Sequence, residues 1–357
     1  MDTIRKLARI VKLDDVRKHH NADALDIATV GGWQVVVKRD EFKTGDLAVY
    51  FEIDSFIPTS IAPFLTKPGH FPKTYNEVEG ERLRTVRLRQ QISQGLIIPI
   101  PEDTIKGAGI LIEAGLDLTD HFGIQKWEPP VSANLTGNAK GNFPSFISKT
   151  DQERCQNIKY EIFELNKDAR YEVTMKMDGS SMTGFNYTPV DSEPEVGVCS
   201  RNLQLKVDDG NIGNAFVDMF INSGLREALQ LIPNIAIQGE LMGGGIQGNQ
   251  EKIDGFKFFV FEMQDLTTRT KLDASQRAVI MAKLYDLGVN KSLVTHAPVL
   301  HFDVSLADLG ITDIQGLIDF ADGPSLNAKQ REGLVFKRMD GGFSFKSISN
   351  KWLLANE

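Results

Sequence analysis

Short segments in the first third of the chain alternate apolar and polar residues and are rich in β-branched side chains. Gly31 and Gly32 separate the first two segments, and Gly45 with Asp46 precedes the third. Period-two alternation bounded by glycine and aspartate predicts strands, and short strands at this spacing predict a small β-barrel over residues 1–115. The predicted strands cover residues 26–30, 33–38, 47–53, 84–89 and 94–100.

Strand-like and helix-like patterns alternate over residues 146–357. Residues 214–231 carry apolar side chains at helical spacing. Residues 273–276 have the capping-box form and predict a helix that ends before Gly288, and residues 312–315 open a shorter helix in the same way. Antiparallel sheets covered by helices predict an α+β fold for this part. The predicted strands cover residues 235–238, 256–262 and 333–337.

A linker is predicted between these two regions. Residues 127–146 are rich in Pro, Gly and Asn and have no periodicity, which is typical of a connection between domains. We therefore assign residues 1–115 to the barrel, 116–145 to the linker and 146–357 to the second domain. A chain of 357 residues is long enough for two domains.

Composition restricts the class of protein. The chain lacks a signal-peptide pattern, and none of its apolar runs approaches the ~20 residues that cross a bilayer. Cys155 and Cys199 are too few for a disulfide framework. We expect a soluble intracellular monomer, cytoplasmic or nuclear, without a membrane partner. The net charge of −8 argues against a protein that coats nucleic acid, so contacts with nucleic acid must use local basic patches such as residues 82–89.

The strongest chemical signal is the sequence Lys-Met-Asp-Gly over residues 176–179, at the end of the predicted strand 171–175. A charged turn is the simpler interpretation, because Asp-Gly is a common turn dipeptide. Three further segments favour a catalytic role for this sequence over a simple turn. Glu240 lies at the end of an apolar strand, Glu332 lies at the start of another, and Lys346 lies in the last strand-like segment.

Together and in this order, these segments resemble the covalent nucleotidyltransferases, the superfamily of DNA ligases, RNA ligases and mRNA capping enzymes. The resemblance implies that Lys176 is the nucleophile that accepts a nucleotide, with Asp178 orienting it or reaching a metal-bound water. A turn cap is the alternative role for Asp178. The other positions matched to the motifs are Arg201 for the nucleotide or polynucleotide end, Phe261 (or Phe259) for purine stacking, Glu240 and Glu332 as acids, and Lys346 for phosphate.

The chemistry of these residue types fits the implied reaction. A lysine amine is nucleophilic only when neutral, and its ordinary pKa is about 10.4. A divalent cation and a cationic neighbour would disfavour the ammonium form. Glu240, Glu332 and Asp178 could hold Mg²⁺ or Mn²⁺ directly or through water. The metal and Lys346 would neutralise charge on the transferred phosphate.

The order of domains indicates which branch the chain resembles. Residues 21–26 and their flanks resemble an OB barrel of the tRNA-binding type, and only eleven residues follow Lys346, so the barrel precedes the nucleotidyltransferase domain. This order resembles the fifth class of RNA ligases, as do residues 87–96 and 146–157. The latter run brings Arg154 into the implied nucleotide site. Ile348 replaces the second lysine of the usual fifth motif, and Lys351 is the candidate substitute.

The resemblance implies an ATP-dependent RNA ligase that joins a 3′-OH end to a 5′-phosphate end through a lysyl-AMP intermediate. Its partner would be RNA, or an RNA-containing duplex with such a break, as in RNA repair. The barrel could bind RNA or serve only as a docking module. Two alternative functions are a GTP-dependent capping-type guanylyltransferase and a non-catalytic RNA-binding protein with an OB barrel.

Overall fold

The computed structural model describes residues 5–101, 105, 109, 111–128, 138–208 and 213–356. Two β-rich units follow each other along the chain, in the order that the sequence predicts. Cys155 and Cys199 are buried free thiols. Among the helices of the described residues, none is long and apolar enough to span a bilayer.

The first unit is built from short, mainly antiparallel strands, which confirms the predicted β-barrel region. The predicted strand at residues 94–100 is interrupted: Gly95 has φ +110°, and a Cβ there would lie 2.5 Å from the carbonyl oxygen of Phe51. The strands are β1 (Ala8–Lys12), β2 (Asp15–Lys18), β3 (Leu25–Val30), β4 (Trp33–Lys38), β5 (Leu47–Phe51), β6 (Ser55–Pro58), β7 (Lys73–Tyr75), β8 (Val78–Arg82), β9 (Thr85–Leu88), β10 (Gln91–Gln94), β11 (Leu96–Ile98) and β12 (Gln125–Lys126).

These strands form four small sheets, in the orders β1-β5-β11, β2-β3-β4, β9-β10 and β12-β6-β8-β7. A 3₁₀ turn at Pro63–Leu65 connects β6 to β7. Leu118, Phe122 and Ile124 pack into the apolar core beside Phe51, and β12 pairs with β6. Residues 116–126, which the sequence assigns to the linker, therefore pack as part of the first unit. The centre of the predicted linker, residues 129–137, lies outside the described residues.

The second unit contains two large sheets. The eight-stranded sheet has the order β13-β18-β17-β16-β19-β20-β21, with β22 added beside β20, and the five-stranded sheet has the order β14-β25-β24-β15-β23. The strands are β13 (Ala139–Asn142), β14 (Glu153–Arg154), β15 (Tyr171–Lys176), β16 (Ser180–Tyr187), β17 (Glu195–Cys199), β18 (Leu203–Leu205), β19 (Ile235–Gly243), β20 (Phe256–Asp265), β21 (Thr270–Lys271), β22 (Val294–His296), β23 (Val299–Val304), β24 (Gly333–Arg338) and β25 (Ser344–Ile348).

Helices cover the outer faces of these sheets, which agrees with the predicted α+β class. The predicted helix at 214–231 is two helices, because Gly224 adopts φ +79° between them and breaks the ladder of hydrogen bonds. The capping box at Asp273 is confirmed, whereas the next helix is capped by Asp313 rather than Thr312. The helices are α1 (Ala215–Asn222), α2 (Leu225–Gln230), α3 (Ala274–Asp286), α4 (Ile314–Ala321) and α5 (Asn350–Asn356), with shorter turns at Cys155–Asn157, Glu161–Leu165 and Gln247–Asn249.

The two units share an apolar core. Ile348 at the end of β25 and Leu353 in α5 are buried among barrel residues that include Trp33 and Tyr50. Apolar surface removed from water at this seam contributes roughly 25 cal/mol per Å². Because β25 also carries Lys346, this packing fixes the last strand of the second unit against the barrel.

Candidate active site

Lys176 is the last residue of β15. Its side chain lies on the face of the five-stranded sheet opposite the apolar core of that sheet. Tyr171 and Val173 of the same strand are buried in that core, so strand alternation places Lys176 on the opposite face. The register sets Lys176 opposite Gly333, which brings the preceding Glu332 alongside. Lys176 Nζ donates a hydrogen bond to Glu332 Oε2 at 2.8 Å. These two predicted site residues are therefore in direct contact.

The Asp178–Gly179 turn lies directly on β19. A Cβ at Gly179 would be 2.5 Å from the carbonyl oxygen of Leu241 and 2.9 Å from Cγ of Glu240. The backbone N–H of Gly179 donates to Glu240 Oε1 at 3.0 Å. Glycine is required here because any side chain would push the turn away from β19. The Lys-x-Asp-Gly sequence thus links the nucleophile candidate to the first of the two acids.

The carboxylates of Asp178, Glu240 and Glu332 surround the Lys176 ammonium group. Burial, with the charge of Glu332, raises the pKa of Asp178 to about 7 despite the opposing effect of Lys176. Burial also raises the pKa of Glu240 to about 7, and Lys176 again opposes it. At Lys176 burial disfavours the ammonium, but Glu332, Glu240 and Asp178 outweigh it, so the pKa is raised above its ordinary value. The pocket therefore holds excess negative charge.

This excess of carboxylates fits a divalent cation. Mg²⁺ and Mn²⁺ prefer oxygen ligands, and Asp178, Glu240 and Glu332 each place carboxylate oxygens near Lys176. Within the described residues, no three His, Cys, Asp or Glu side chains are arranged to hold an ion by themselves. An ion bound to these residues would need water or phosphate oxygens as further ligands, as is usual for Mg²⁺.

Lys346 reaches the same face of the five-stranded sheet from β25. It pairs with Val335 of β24 and lies opposite Arg154 of β14. Burial, followed by the charges of Arg154, Lys176 and Arg5, lowers the pKa of Lys346 to about 7. A cluster of cations that disfavour one another is well suited to an anionic ligand, because a phosphate would relieve their repulsion.

Arg154 is held by the first unit. Only 6% of this residue is exposed, and its Nη2 donates to Asp54 Oδ2 at 3.2 Å. Its Nε and Nη1 are buried and have no hydrogen-bond partner among the residues that the structure describes. Asp54 also accepts from Arg82 at 2.6 Å, and although burial opposes ionisation, Arg154, Arg5 and Arg82 lower the pKa of Asp54 to about 2. Sequence analysis missed Asp54 because it lies 100 residues before Arg154.

Phe261 and Phe259 differ in accessibility. Phe259 is 4% exposed and is buried among Met175, Met177 and Met242. Phe261 is half-buried, and a bulge in the pairing of β19 with β20 leaves it unpaired. An unpaired bulge residue on a strand can present its side chain to a ligand. Of the two predicted stacking residues, Phe261 is the one with accessible ring surface.

A buried charge network joins the two large sheets beside Phe261. Arg277 of α3 pairs with Glu172 of β15, and Lys337 of β24 donates to Glu262 of β20 at 3.1 Å. Burial lowers the pKa of Lys337 to about 8, and Lys337 Nζ lies 5.8 Å from the centre of the Phe261 ring. Breaking a buried pair costs about 3–5 kcal/mol, so this network fixes the separation of the sheets. Its members carry no motif in the sequence.

Arg201 lies in the turn between β17 and β18 of the eight-stranded sheet. Its Nη2 donates to Glu128 at 3.2 Å and to Asp151 at 3.3 Å, and 45% of its side chain is exposed. It lines an open cleft of about 270 Å³ together with Gln238 and Ser181. Ser181 pairs with Glu240 across β16 and β19, so the cleft continues from the Lys176 pocket. Arg201 is thus beside that pocket, with acidic partners that a ligand would displace.

Lys351 does not join the cluster around Lys346. It lies in α5, its side chain is 70% exposed, and its Nζ pairs with Asp322 Oδ2 at 2.9 Å. Its predicted role as the second lysine of the fifth motif stays a prediction.

Comparisons with known proteins agree with this geometry. Residues 7–100 match a family model for an OB-fold domain, and residues 169–352 match the family model for RNA ligase. No curated protein matches the chain.

Solved structures of an RNA ligase from Naegleria gruberi match almost the whole chain. A variant with AMP and manganese is 42% identical, with a TM-score of 0.86 and 98% of both chains covered. A variant with ATP and manganese is 42% identical, with a TM-score of 0.85 and the same coverage. A ligand-free variant is 41% identical, with a TM-score of 0.85 and 98% of both chains covered.

Proposed function

The chain belongs to the RNA ligase family, and on that premise we propose that it is an ATP-dependent enzyme that seals nicks in RNA through a lysyl-AMP intermediate. The observation that carries the proposal is the convergence of Lys176, Asp178, Glu240, Glu332 and Lys346 on one site from four separate segments. Family membership favours this function over a capping-type guanylyltransferase and over a non-catalytic RNA-binding protein.

The proposed reaction has three balanced steps. Neutral Nζ of Lys176 attacks the α-phosphorus of ATP, a P–N bond forms, and pyrophosphate leaves. A 5′-phosphate oxygen of RNA then attacks the same phosphorus, which transfers AMP and frees the lysine. In the third step the 3′-OH attacks the activated 5′-phosphate, AMP leaves, and a phosphodiester is formed. ATP is converted to AMP and pyrophosphate overall.

Each residue has a defined task in this scheme. Glu332 holds the Lys176 amine at the site and accepts its hydrogen bond. Lys346 and Arg154 place positive charge where negative charge would develop on the phosphates of ATP as pyrophosphate leaves. Phe261 offers a ring face to the purine. Bound Mg²⁺ or Mn²⁺ would supply charge neutralisation to the three carboxylates and so favour loss of the proton from Lys176.

Proton and metal binding should compete at the carboxylates. The pKa values of Asp178 and Glu240 are about 7, above their ordinary 3.8 and 4.5. A carboxyl whose pKa is raised by folding adds stability at low pH, and that stability is lost as the pH rises through about 7. We expect the metal-free melting temperature to fall as the pH rises from about 5 to about 8. Mg²⁺ should restore more stability at about pH 8 than at about pH 6.

Thermal denaturation with and without Mg²⁺ measures this difference directly. Glu240→Gln removes one titrating group and should reduce the pH dependence of the metal effect. Equal stabilisation by Mg²⁺ at both pH values would contradict the assignment of these carboxyls to the metal.

Asp54 should act on adenylylation through Arg154. Asp54→Asn removes the charge that holds Arg154 in place, and misplacement of a charge-stabilising group can cost roughly 10- to 100-fold in rate. We expect such a loss in single-turnover labelling of the protein by ATP, measured well below the melting temperature of the variant.

Asp15→Asn is the matched control for Asp54→Asn. Asp15 also pairs with an arginine, Arg17, but both side chains are about half exposed, so its loss should change little. An unchanged labelling rate in folded Asp54→Asn would mean that Arg154 is positioned without the barrel.

A matched set of broken duplexes tests the proposed function. Nicks with RNA or DNA on each side, each bearing a 3′-OH and a 5′-phosphate, are incubated with the protein, ATP and Mg²⁺ or Mn²⁺. We expect sealing when the 3′-OH strand ends in RNA, and covalent labelling by radioactive ATP in preference to GTP. Labelling by GTP alone, or no sealing of any nick, would overturn the proposal.

A further inference from the structure

A second cavity lies at the seam between the barrel and the second unit, away from the carboxylates around Lys176. It has a volume of about 540 Å³ and is lined by β4, the β9–β10 hairpin, α4 and the first residue of α5. Its polar walls consist of carboxamides from both units. They are Gln34, Gln90, Gln91, Gln94, Gln315 and Asn350. We refer to this space as the amide cavity.

The side chains that line the amide cavity are uncharged, and they can both donate and accept hydrogen bonds. Among the described residues that line it, none is charged, and the remaining lining comes from Gly32, Ile92 and Ile318. Carboxamides offer both donors and acceptors, and they match the hydrogen-bonding edges of nucleobases. A bound base would replace the bonds that Gln91 donates to Gln34 and Gln94 donates to Asn350. The two isoleucines add apolar surface for a flat ring. Such walls suit an uncharged base rather than a phosphate.

Positive charge lies outside the cavity, on the β9–β10 hairpin that forms one of its walls. Arg87 in β9 and Arg89 in the hairpin turn are both exposed. Their charges are placed to meet a phosphate backbone while a base enters the amide walls. Bases held in polar pockets with arginines along the backbone are typical of proteins that bind single-stranded RNA.

The hairpin turn carries an unusual pair of residues. Arg89 and Gln90 both have positive φ, +49° and +74°. A two-residue turn with two positive φ values is best formed by Asn-Gly, so Arg-Gln is strained there. The strained turn directs Gln90 into the cavity lining and keeps a cation beside it.

The amide cavity is close to the proposed reaction centre along the chain. Asn350 follows Lys346 by four residues, so their Cα atoms are at most about 14 Å apart. Ile318 in the cavity wall packs into the apolar core on the face of the five-stranded sheet opposite Lys346, so RNA held at both places would pass around the edge of that sheet. Gln94 reaches across the seam and donates to Asn350 at 3.1 Å, which ties the cavity wall to the strand that carries Lys346.

We propose that the amide cavity binds one unpaired nucleobase of the RNA substrate near the break, with Arg87 and Arg89 on the adjoining backbone. This inference rests on the proposed function and deepens it, because it assigns the barrel a direct role in reading the RNA end. The site takes up a base that is unstacked or single-stranded, and it takes no part in the reaction of ATP with Lys176.

Gln90→Glu and Gln315→Glu test the proposal from opposite walls. Both residues are exposed and both substitutions keep the shape of the side chain, so the fold should persist. We expect the Kd for nicked RNA, measured without ATP by fluorescence anisotropy, to rise at least 10-fold in each variant. Labelling of the protein by ATP should stay within twofold of the wild type. Gln230→Glu at the end of α2 is the matched control for added charge.

Abasic RNA makes the test specific to a base. One abasic nucleotide is moved along the RNA around the break, and one position should weaken wild-type binding about 10-fold while leaving Gln90→Glu unaffected. If no position has this effect, or if Gln230→Glu weakens binding equally, the proposal is overturned. Loss of ATP labelling in Gln90→Glu also overturns it. Absence of labelling in the wild type would instead refute the proposed function, since RNA binding is measured independently.

Discussion

Lys176→Ala is expected to abolish covalent labelling of the protein by ATP, with a loss of at least about 10³-fold. The amine at position 176 is the proposed bond-forming atom, and alanine leaves no nucleophile at that position. Radioactive ATP, denaturing electrophoresis and quantification of protein-bound label measure the effect. Thermal denaturation of the variant should still show a cooperative transition.

Lys176→Arg tests whether residue 176 acts as a nucleophile or only through its positive charge. Arginine keeps a cation beside Glu332 but does not deprotonate in proteins, so labelling should be lost as in Lys176→Ala. Recovery of labelling by arginine would mean that the residue acts only through its charge.

RNA that is already adenylated at its 5′ end isolates the third step. This step requires no free lysine amine, so Lys176→Ala should still join such RNA at a rate within about 10-fold of the wild type. A variant that fails in this reaction as completely as in labelling would contradict the assignment of Lys176 to the first two steps.

Lys346→Ala is expected to lower both ATP labelling and the joining of pre-adenylated RNA by about 10²–10³-fold. Removing one preorganised donor from a developing negative charge has an effect of this size. The low pKa of Lys346 reflects burial and nearby cations in the ligand-free protein, and a bound phosphate would favour its charged form. Lys346→Arg should recover part of the activity because it restores the charge.

The pattern over the two assays distinguishes Lys346 from Lys176. Normal joining of pre-adenylated RNA by Lys346→Ala would show that this lysine affects only the ionisation of Lys176. Lys283→Ala, an exposed change in α3, is the control for removing a lysine. A comparable loss from Lys351→Ala would support the role in phosphate binding that the sequence suggests for that residue.

The barrel contributes to the site in two ways that domain order alone does not describe. Asp54 orients Arg154 from across the seam, and the β9–β10 hairpin lines the amide cavity. The shared apolar core around Ile348 makes both contacts rigid, because β25 is packed on the barrel.

Local patterns predicted much of the fold because strand alternation and caps depend on near neighbours. The strands of the barrel, the strand that ends at Lys176 and the capping box at Asp273 all follow from residues within one element. The errors occurred where a single residue decides the boundary. Gly224 divides the predicted helix at 214–231, and Asp313 rather than Thr312 caps α4.

The sequence by itself determined the residue types and the order of the motifs, including the glycine that lets the turn after Lys176 lie against β19. Only the tertiary structure decided which charges meet. The pairing of Asp54 with Arg154, the raised pKa values of Asp178 and Glu240, and the different burial of Phe261 and Phe259 depend on register, burial and packing between distant segments. Electrostatic effects fall with distance in space and are amplified by burial, and neither quantity is written in the spacing of residues along a chain.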